Sequence, residues 1–246
     1  MPDDIGRDFM LRTAHNVLSP PGEATGVPQP PLQLPVPEEA TLIPLPDPKL
    51  PTDASFDLFG AFERRRSLRE YSAQSISLVE LSFLLWATQG VREVTDRPAT
   101  SRPVPSAGAR HAFETYLLIN RVGDLNPGLY RYVALEHALI EADMTATTAA
   151  GIGSSCRNSQ PLCTASAVTF LWVAVAERMA WKYSERGIRF LHLDAGHVCQ
   201  NLYLAADAIS CGVCAIGGFN DEDVNPLLGL DGEDHFVIYI ATVGKR

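Results

Sequence analysis

The sequence predicts an α+β protein, and three observations carry that prediction. Residues 168–175, VTFLWVAV, are apolar at every position but Thr169, the pattern of a strand buried on both faces. Residues 189–209 set Leu191, Ala195, Val198, Leu202, Ala205 and Ile209 on one helical stripe, which makes that segment the core helix. Around these two, helical and strand-like segments follow one another without the strict alternation of a doubly wound parallel sheet.

In chain order, the first 52 residues stand apart. They hold 12 of the 18 prolines and carry three basic against seven acidic side chains. Proline lacks the N–H that a helix or a central strand needs, so residues 1–52 read as an extended arm, polyproline-II-like in part. Leu32, Leu34, Val36, Leu42, Ile43 and Leu45 are more aliphatic surface than a free linker carries, and favour adhesion of 32–51 to a body or a second subunit.

Residues 53–246 are expected to form one body. Phe56, Leu58, Phe59 and Phe62 recur at helical spacing and predict a short amphipathic helix over 55–65. Ser77 and Glu80 form a capping-box pattern ahead of Leu78, Leu81, Leu84 and Leu85, with Gly90 expected as the left-handed residue ending that helix. Residues 116–122 read as a strand, Asn126-Pro127-Gly128 as a turn and 129–133 as the returning strand, with Leu139 and Ile140 as a third. After the apolar strand and the core helix come a strand over 211–216, a short helix capped by Asp221 and reaching 228, and a final strand over 236–243.

Composition narrows the function classes. The 246 residues include 20 Lys+Arg and 29 Asp+Glu, for a net charge of −9. That length supports a sizeable core without disulfide staples, and the acidic balance argues against sequence-independent nucleic-acid binding. The N-terminus carries early acids and no apolar targeting core. The longest apolar stretch, 165–176, falls well short of the roughly 20 residues a membrane span needs. A cytoplasmic protein with no membrane partner is therefore expected. Five cysteines, an odd number in a long chain, fit reduced thiols.

Arg64, Arg65, Arg66 and Arg69 crowd around Ser67 in an acidic chain. Either they complement the C-terminal dipole of a solvated helix, or guanidinium forks and the hydroxyl form an anion site suited to phosphate. Pro105-Ser106-Ala107-Gly108-Ala109 is a small-residue loop whose backbone can approach a planar ligand, and Gly217-Gly218 follows a strand in the same manner; both also serve as plain turns. Trp181-Lys182-Tyr183 follows the apolar strand, where a partly desolvated lysine beside an aromatic can act as base or proton donor, or simply pack at the surface. Cys211 and Cys214 have C-x-x-C spacing but no second pair, and lie in an apolar strand, so they read as core residues. His192 and His197 are five apart and do not share a helix face, so no metal site is expected.

Collinear blocks then carry a resemblance over about residues 55–246: RRSLREYS (65–72), SLVELSFLLWATQGV (77–91), RPVPSAGARHAFETYLLI (102–119), NPGLYRY (126–132), the run from Trp181 through CGV and GGF, and LLGLDGEDHFVIYIATVGK (227–245). In this order they resemble the nitroreductase superfamily, specifically its SagB-type, thiazole/oxazole-forming dehydrogenases. The resemblance implies a nitroreductase-like fold with a central, mostly antiparallel sheet flanked by helices. It implies FMN as cofactor and a homodimer with two sites at the subunit interface. By the same resemblance, Arg65, Arg66 and Ser67 fall where FMN phosphate and ribityl bind, and Arg69 faces the flavin pyrimidine edge. Pro105, Ser106 and Gly108 cover the isoalloxazine, Gly217 and Gly218 approach flavin N5, and Lys245 and Arg246 lie near the phosphate. Lys182 aligns with the base and Tyr183 with its support in azoline-oxidising members, whose substrates are small molecules or peptide-derived heterocycles. An NAD(P)H-dependent nitro or quinone reductase and a flavin-free partner subunit are the alternative functions.

Overall fold

A computed structural model of the chain describes residues 4–49 and 56–246. The expected boundary between arm and body at 52/53 lies outside the described residues, as does Ser55 at the start of the expected short helix. The arm contributes α1 (Ile5–Arg12), α2 (Gly22–Thr25) and β1 (Ile43–Pro44). The body contributes α3 (Leu58–Arg64), α4 (Leu78–Gln89), β2 (Glu93–Val94), β3 (Thr100–Ser101), β4 (Phe113–Ile119), β5 (Gly128–Val133), β6 (Ala138–Asp143), α5 (Ala146–Ser155), α6 (Gln160–Ala165), β7 (Val168–Val175), α7 (Ala176–Tyr183), α8 (Gly187–Ala208), β8 (Cys211–Ile216), α9 (Asp221–Leu227) and β9 (His235–Lys245).

Seven strands form one sheet in the order β1-β6-β5-β4-β7-β9-β8, and every pairing within it is antiparallel. β7 is central, with all eight residues buried. Strand side chains alternate between faces, so Phe170, Trp172 and Ala174 meet α4 and α8 through Leu81, Leu84, Leu85, Leu191, Val198 and Leu202. Leu171 and Val173 point the other way, into a second cluster with Ile152 of α5 and Val224 of α9. Helices on both faces explain why β7 is apolar on both faces rather than at alternate positions. Among the described residues no helix is long and apolar enough to cross a membrane.

Several expectations change against the structure. The first strand is Phe113–Ile119, three residues earlier than expected, because Ile119 and Val168 are the last pair of its ladder with β7. Gly90 has φ −59° and is not left-handed; a Cβ there would meet Trp86 Cα at 2.7 Å, so closeness to the helix and not handedness excludes a side chain. The short helix before β9 is capped by Asn220, with Asp221 at its first helical position, because the Asn220 side chain accepts from Glu222 N. α3 buries Gly60 and Ala61, whereas Phe56, Leu58, Phe59 and Phe62 are exposed. The arm is not extended throughout: α1 forms in the proline-free stretch before Pro20, started by the Asp4 cap.

Proline also dictates how the rest of the arm attaches. A segment poor in N–H groups offers mainly carbonyls, so the body supplies the donors. Pro31 O accepts from Arg178 Nε at 2.8 Å, Pro35 O from Arg131 Nη2 at 2.7 Å, Pro46 O from Ser82 Oγ at 2.5 Å and Val27 O from Trp181 Nε1 at 2.8 Å. Ile43 pairs with Leu139, which adds the arm to the sheet edge, and Leu45 joins the core.

The far end of the chain is tied down by charge. Lys245 Nζ pairs with Glu80, the capping-box carboxylate of α4, and donates to Ile209 O at 2.9 Å. Partial burial alone would push the Glu80 carboxyl up, yet the Lys245 ammonium and the Ser77 N–H hold it below its ordinary value. Such a group stabilises the fold above the ordinary carboxylate range and loses that contribution as pH falls through its depressed folded value. Glu80→Gln is expected to lower stability at neutral pH by about 1–3 kcal/mol in urea denaturation, with the deficit closing in acid. Equal stability at neutral pH would show that the pair contributes nothing.

Candidate active site

Two clusters collect the candidate residues, and α8 organises both. The first begins where α3 ends. Asp57 caps α3 by accepting from Phe59 N and Gly60 N, and the chain leaves the helix at Arg65 with ψ 115°. It then runs beside β8 and β9: Leu68 N donates to Val213 O at 2.8 Å and Ser72 N to Lys245 O at 2.9 Å. Gly212 is the notch that admits this segment, since a Cβ there would meet Leu68 Cβ at 2.7 Å. This gives the glycine of Cys211-Gly212-Val213-Cys214 a structural purpose. Both cysteines are buried, which pushes the Cys211 thiol up to about 12 and raises Cys214 as well.

Tyr203 of α8 orders the segment from below. Its hydroxyl accepts from Ala215 N at 3.1 Å and hydrogen-bonds Ser67 Oγ at 3.1 Å, and its ring lies 5.6 Å beneath the Arg65 guanidinium. One turn later Asp207 takes two cations, Arg64 at 2.9 Å and Arg246 at 2.6 Å. Burial raises the Asp207 carboxyl, but those guanidiniums bring it below its ordinary value. Among the described residues Arg65 and Arg66 have no acidic partner. Arg64, Arg65, Arg66, Asp207 and Arg246 line a cavity of about 410 Å³. Arg69 lies outside it, where its charge opposes the upward shift of Cys214. Lys245 is also outside, held by Glu80, so of the two C-terminal cations only Arg246 reaches the cavity.

Gly217 and Gly218 follow β8 and are exposed. Neither has positive φ, and open space surrounds the position a Cβ would take at each. Among the described residues nothing therefore requires glycine at either position.

The second cluster surrounds the loop 105–109. Gly108, Ala109 and His111 have φ of 57°, 54° and 44°, an unusual density of left-handed residues. Asp194 of α8 holds the loop in place. Its carboxylate accepts from Ser106 Oγ at 2.6 Å and from Ala107 N at 3.3 Å, while Ser106 Oγ accepts from His111 N at 2.9 Å. Burial raises the Asp194 carboxyl, against these hydrogen bonds. Gly108 lies against Lys182 and Tyr183, such that a Cβ would meet Tyr183 Oη at 2.5 Å and Lys182 Cδ at 2.8 Å. Tyr183 packs edge-on to Phe190 at 4.6 Å, and burial raises its phenol. Pro105, Ser106, Gly108, Arg110 and Lys182 line a cavity of about 620 Å³.

The two cavities share no lining residue. Their anchors, Asp194 and Tyr203, are nine residues apart on α8, about 13 Å along the axis at 1.5 Å per residue. The structure thus unites Arg65, Arg66, Ser67 and Arg246 in one place, and Pro105, Ser106, Gly108, Lys182 and Tyr183 in another. Asp194, Tyr203, Asp207 and Arg110 are absent from the sequence-derived set. Asp194 did leave a signal: it sits between Leu191 and Ala195 on the inward stripe, where a carboxylate must find donors. Tyr203 and Asp207, four apart, are indistinguishable in sequence from ordinary helix-surface residues.

Comparison with known proteins places these features in a family. The nitroreductase family model matches residues 62–245. The chain is 29% identical over 199 residues to a candidate nitroreductase of Methanocaldococcus jannaschii, covering 80% of this chain and 96% of that one. It is 25% identical over 169 residues to the trifolitoxin-processing protein TfxB of Rhizobium leguminosarum bv. trifolii, covering 66% of this chain and 44% of TfxB. A crystal structure of a candidate nitroreductase from Anabaena variabilis superposes with a TM-score of 0.63 at 30% identity, over 77% of this chain and 38% of that one. At 19% identity, where likeness shows the fold alone, a candidate nitroreductase from Desulfovibrio desulfuricans in complex with FMN has a TM-score of 0.54 over 77% of this chain and 86% of that one.

Proposed function

The chain belongs to the nitroreductase family of oxidoreductases, and on that premise we propose that it is an FMN-dependent dehydrogenase of the SagB type, oxidising a small-molecule or peptide-derived azoline. The observation that carries the cofactor is the cavity lined by Arg65 and Arg66, two guanidiniums without acidic partners among the described residues of a protein of net charge −9. A phosphate is the anion that suits such forks, with Ser67 and Arg246 beside it. Gly217 and Gly218 support the same reading, because their exposed backbone leaves room for a flat ring to approach. Arg69, beyond the phosphate cavity, is the cation we assign to the pyrimidine edge. The resemblance to FMN binders makes Lys245 a phosphate contact as well, but its ammonium is engaged by Glu80, and we assign it to the fold.

Aromatising an azoline removes a proton and a hydride from neighbouring ring atoms. FMN bound between the arginine cluster of one copy and the 105–109 loop of another would accept the hydride. Lys182 takes the proton, and the Tyr183 hydroxyl, packed against the Gly108 loop beside it, orients the ring nitrogen or the lysine. Pro105 and Ser106 shape the opposite wall, fixed by Asp194. TfxB, a toxin-processing protein, favours a peptide-derived substrate. The M. jannaschii relative favours the second reading, an NAD(P)H-dependent nitro or quinone reductase.

One chain does not close this site, since its halves are separated along α8. We assign the missing half to a second copy, with exposed Phe56, Leu58, Phe59 and Phe62 on the contacting face. Sedimentation of the flavin-loaded protein should give a dimer; a monomer that keeps its flavin would overturn the shared site.

Purified protein should be yellow and release FMN, and Arg65→Ala should weaken FMN retention at least about tenfold, or 1.4 kcal/mol. Unchanged affinity would return the arginines to the role of a solvated helix end, and a colourless protein that refuses FMN would favour a flavin-free partner subunit. Lys182→Ala should keep the flavin spectrum and lose azoline oxidation. Rapid anaerobic bleaching by NADPH, undiminished in Lys182→Ala, would favour the reductase instead.

A further inference from the structure

The cavity beside the 105–109 loop has a charge pattern that the proposed chemistry leaves unused. Arg97, Arg102, Arg110 and Lys182 line it, and no aspartate or glutamate does. Arg102 is already satisfied, donating to Gln89 O, Gln89 Oε1 and Thr100 Oγ1. His111 is neutral, its imidazole driven to about 3 by burial and by the Arg102 charge. Arg110 is different. Its residue is only 8% exposed, its Nε donates to Gly108 O at 3.1 Å, and its guanidinium lies 5.2 Å over the Trp181 ring. Among the described residues neither Nη of Arg110 has a hydrogen-bond partner, and Arg110 lines both this cavity and a smaller recess beside Pro30, Pro31 and Arg178. A guanidinium stacked on an indole and fixed at Nε presents its remaining donors in one plane, the geometry that pairs with a carboxylate.

A carboxylate of the arm also reaches this rim. Glu23 of α2 reaches Lys182 Nζ at 3.6 Å, and its charge counteracts the effect of burial on Arg110. Contacts on both sides of Glu23 hold it there: Ser184 Oγ donates to Ser19 O at 2.7 Å, Ser19 N to Glu185 at 3.1 Å and Trp181 Nε1 to Val27 O at 2.8 Å. The Glu23 side chain is itself 41% exposed and makes no hydrogen bond among the described residues, so it can leave without breaking the arm's attachment.

We propose that this cavity binds a carboxylate of the substrate on Arg110, and that Glu23 is an intramolecular stand-in which the substrate carboxylate displaces. The proposal rests on Lys182 facing the substrate cavity and not on the flavin. Displacement also separates Lys182 from its acidic neighbour as the substrate arrives, so that the arm couples anion recognition to the proposed base.

The test is calorimetric titration of the purified protein with benzoate and with benzamide, in flavin-bearing and flavin-stripped samples. Benzoate should bind at least about tenfold tighter than benzamide in both samples. Arg110→Gln should erase that preference, and Glu23→Gln should tighten benzoate about threefold while leaving benzamide unchanged. Equal binding of the two probes, no benzoate binding at millimolar concentration, or a Glu23→Gln variant with unchanged or weaker benzoate binding would each overturn the proposal. If Arg110→Gln fails to fold, the exposed Glu23→Gln variant still decides the outcome. A preference confined to the flavin-bearing sample would overturn the proposal while leaving the flavin reading intact.

Discussion

The packing of α8 against the sheet anchors both clusters of candidate residues in this chain. Leu191, Val198 and Leu202 are buried against β7 and its neighbours, which fixes the rotation of a helix about 33 Å long. Once that rotation is fixed, Asp194 must sit under the 105–109 loop and Tyr203 and Asp207 under the arginine segment. Both clusters are irregular backbone pinned by hydrogen bonds from one rigid rod. Turning α8 by a single residue would lose Ser106, Ser67 and Arg64 together.

Charge then separates structure from function within each cluster. Asp207 pairs with Arg64 and Arg246, Glu80 with Lys245 and Glu114 with Arg178, all within the fold. Arg65, Arg66 and Arg110 are among the cations with no ion pair among the described residues, and each borders a cavity. Guanidiniums left uncompensated in concave places are the charge pattern behind both proposed anion sites. The arm follows a related logic with neutral groups. Its prolines make it a row of acceptors, and the buried Arg131 and Arg178 with Trp181 and Ser82 answer it with donors.

Strong periodicity was legible in advance. β7, α8 and α4 with its capping box stand within a few residues of their expected places, because burial on both faces, a continuous stripe and a reciprocal cap are local patterns. The arginine segment was legible as a motif, and so was the 105–109 loop. Illegible were the ends and the partners. Gly90 looked like a left-handed terminator, yet its constraint is the backbone of Trp86. Lys245 looked like a ligand of the cavity until Glu80, 165 residues away in sequence, was seen to hold it. Glu23 and Arg110 carried no pattern, since one is an acid in an acidic arm and the other an arginine beside a turn.

By itself, then, the sequence determined the elements with a strong repeat, the acidic balance and the local concentration of guanidiniums, because each depends on residues close together in the chain. Only the tertiary structure decided which of those cations are neutralised, that the two clusters stand about 13 Å apart on one helix, and that the arm carries a carboxylate to Lys182. Those outcomes depend on ion pairs and hydrogen bonds between residues tens to more than a hundred positions apart, and their partners are chosen by packing rather than by spacing.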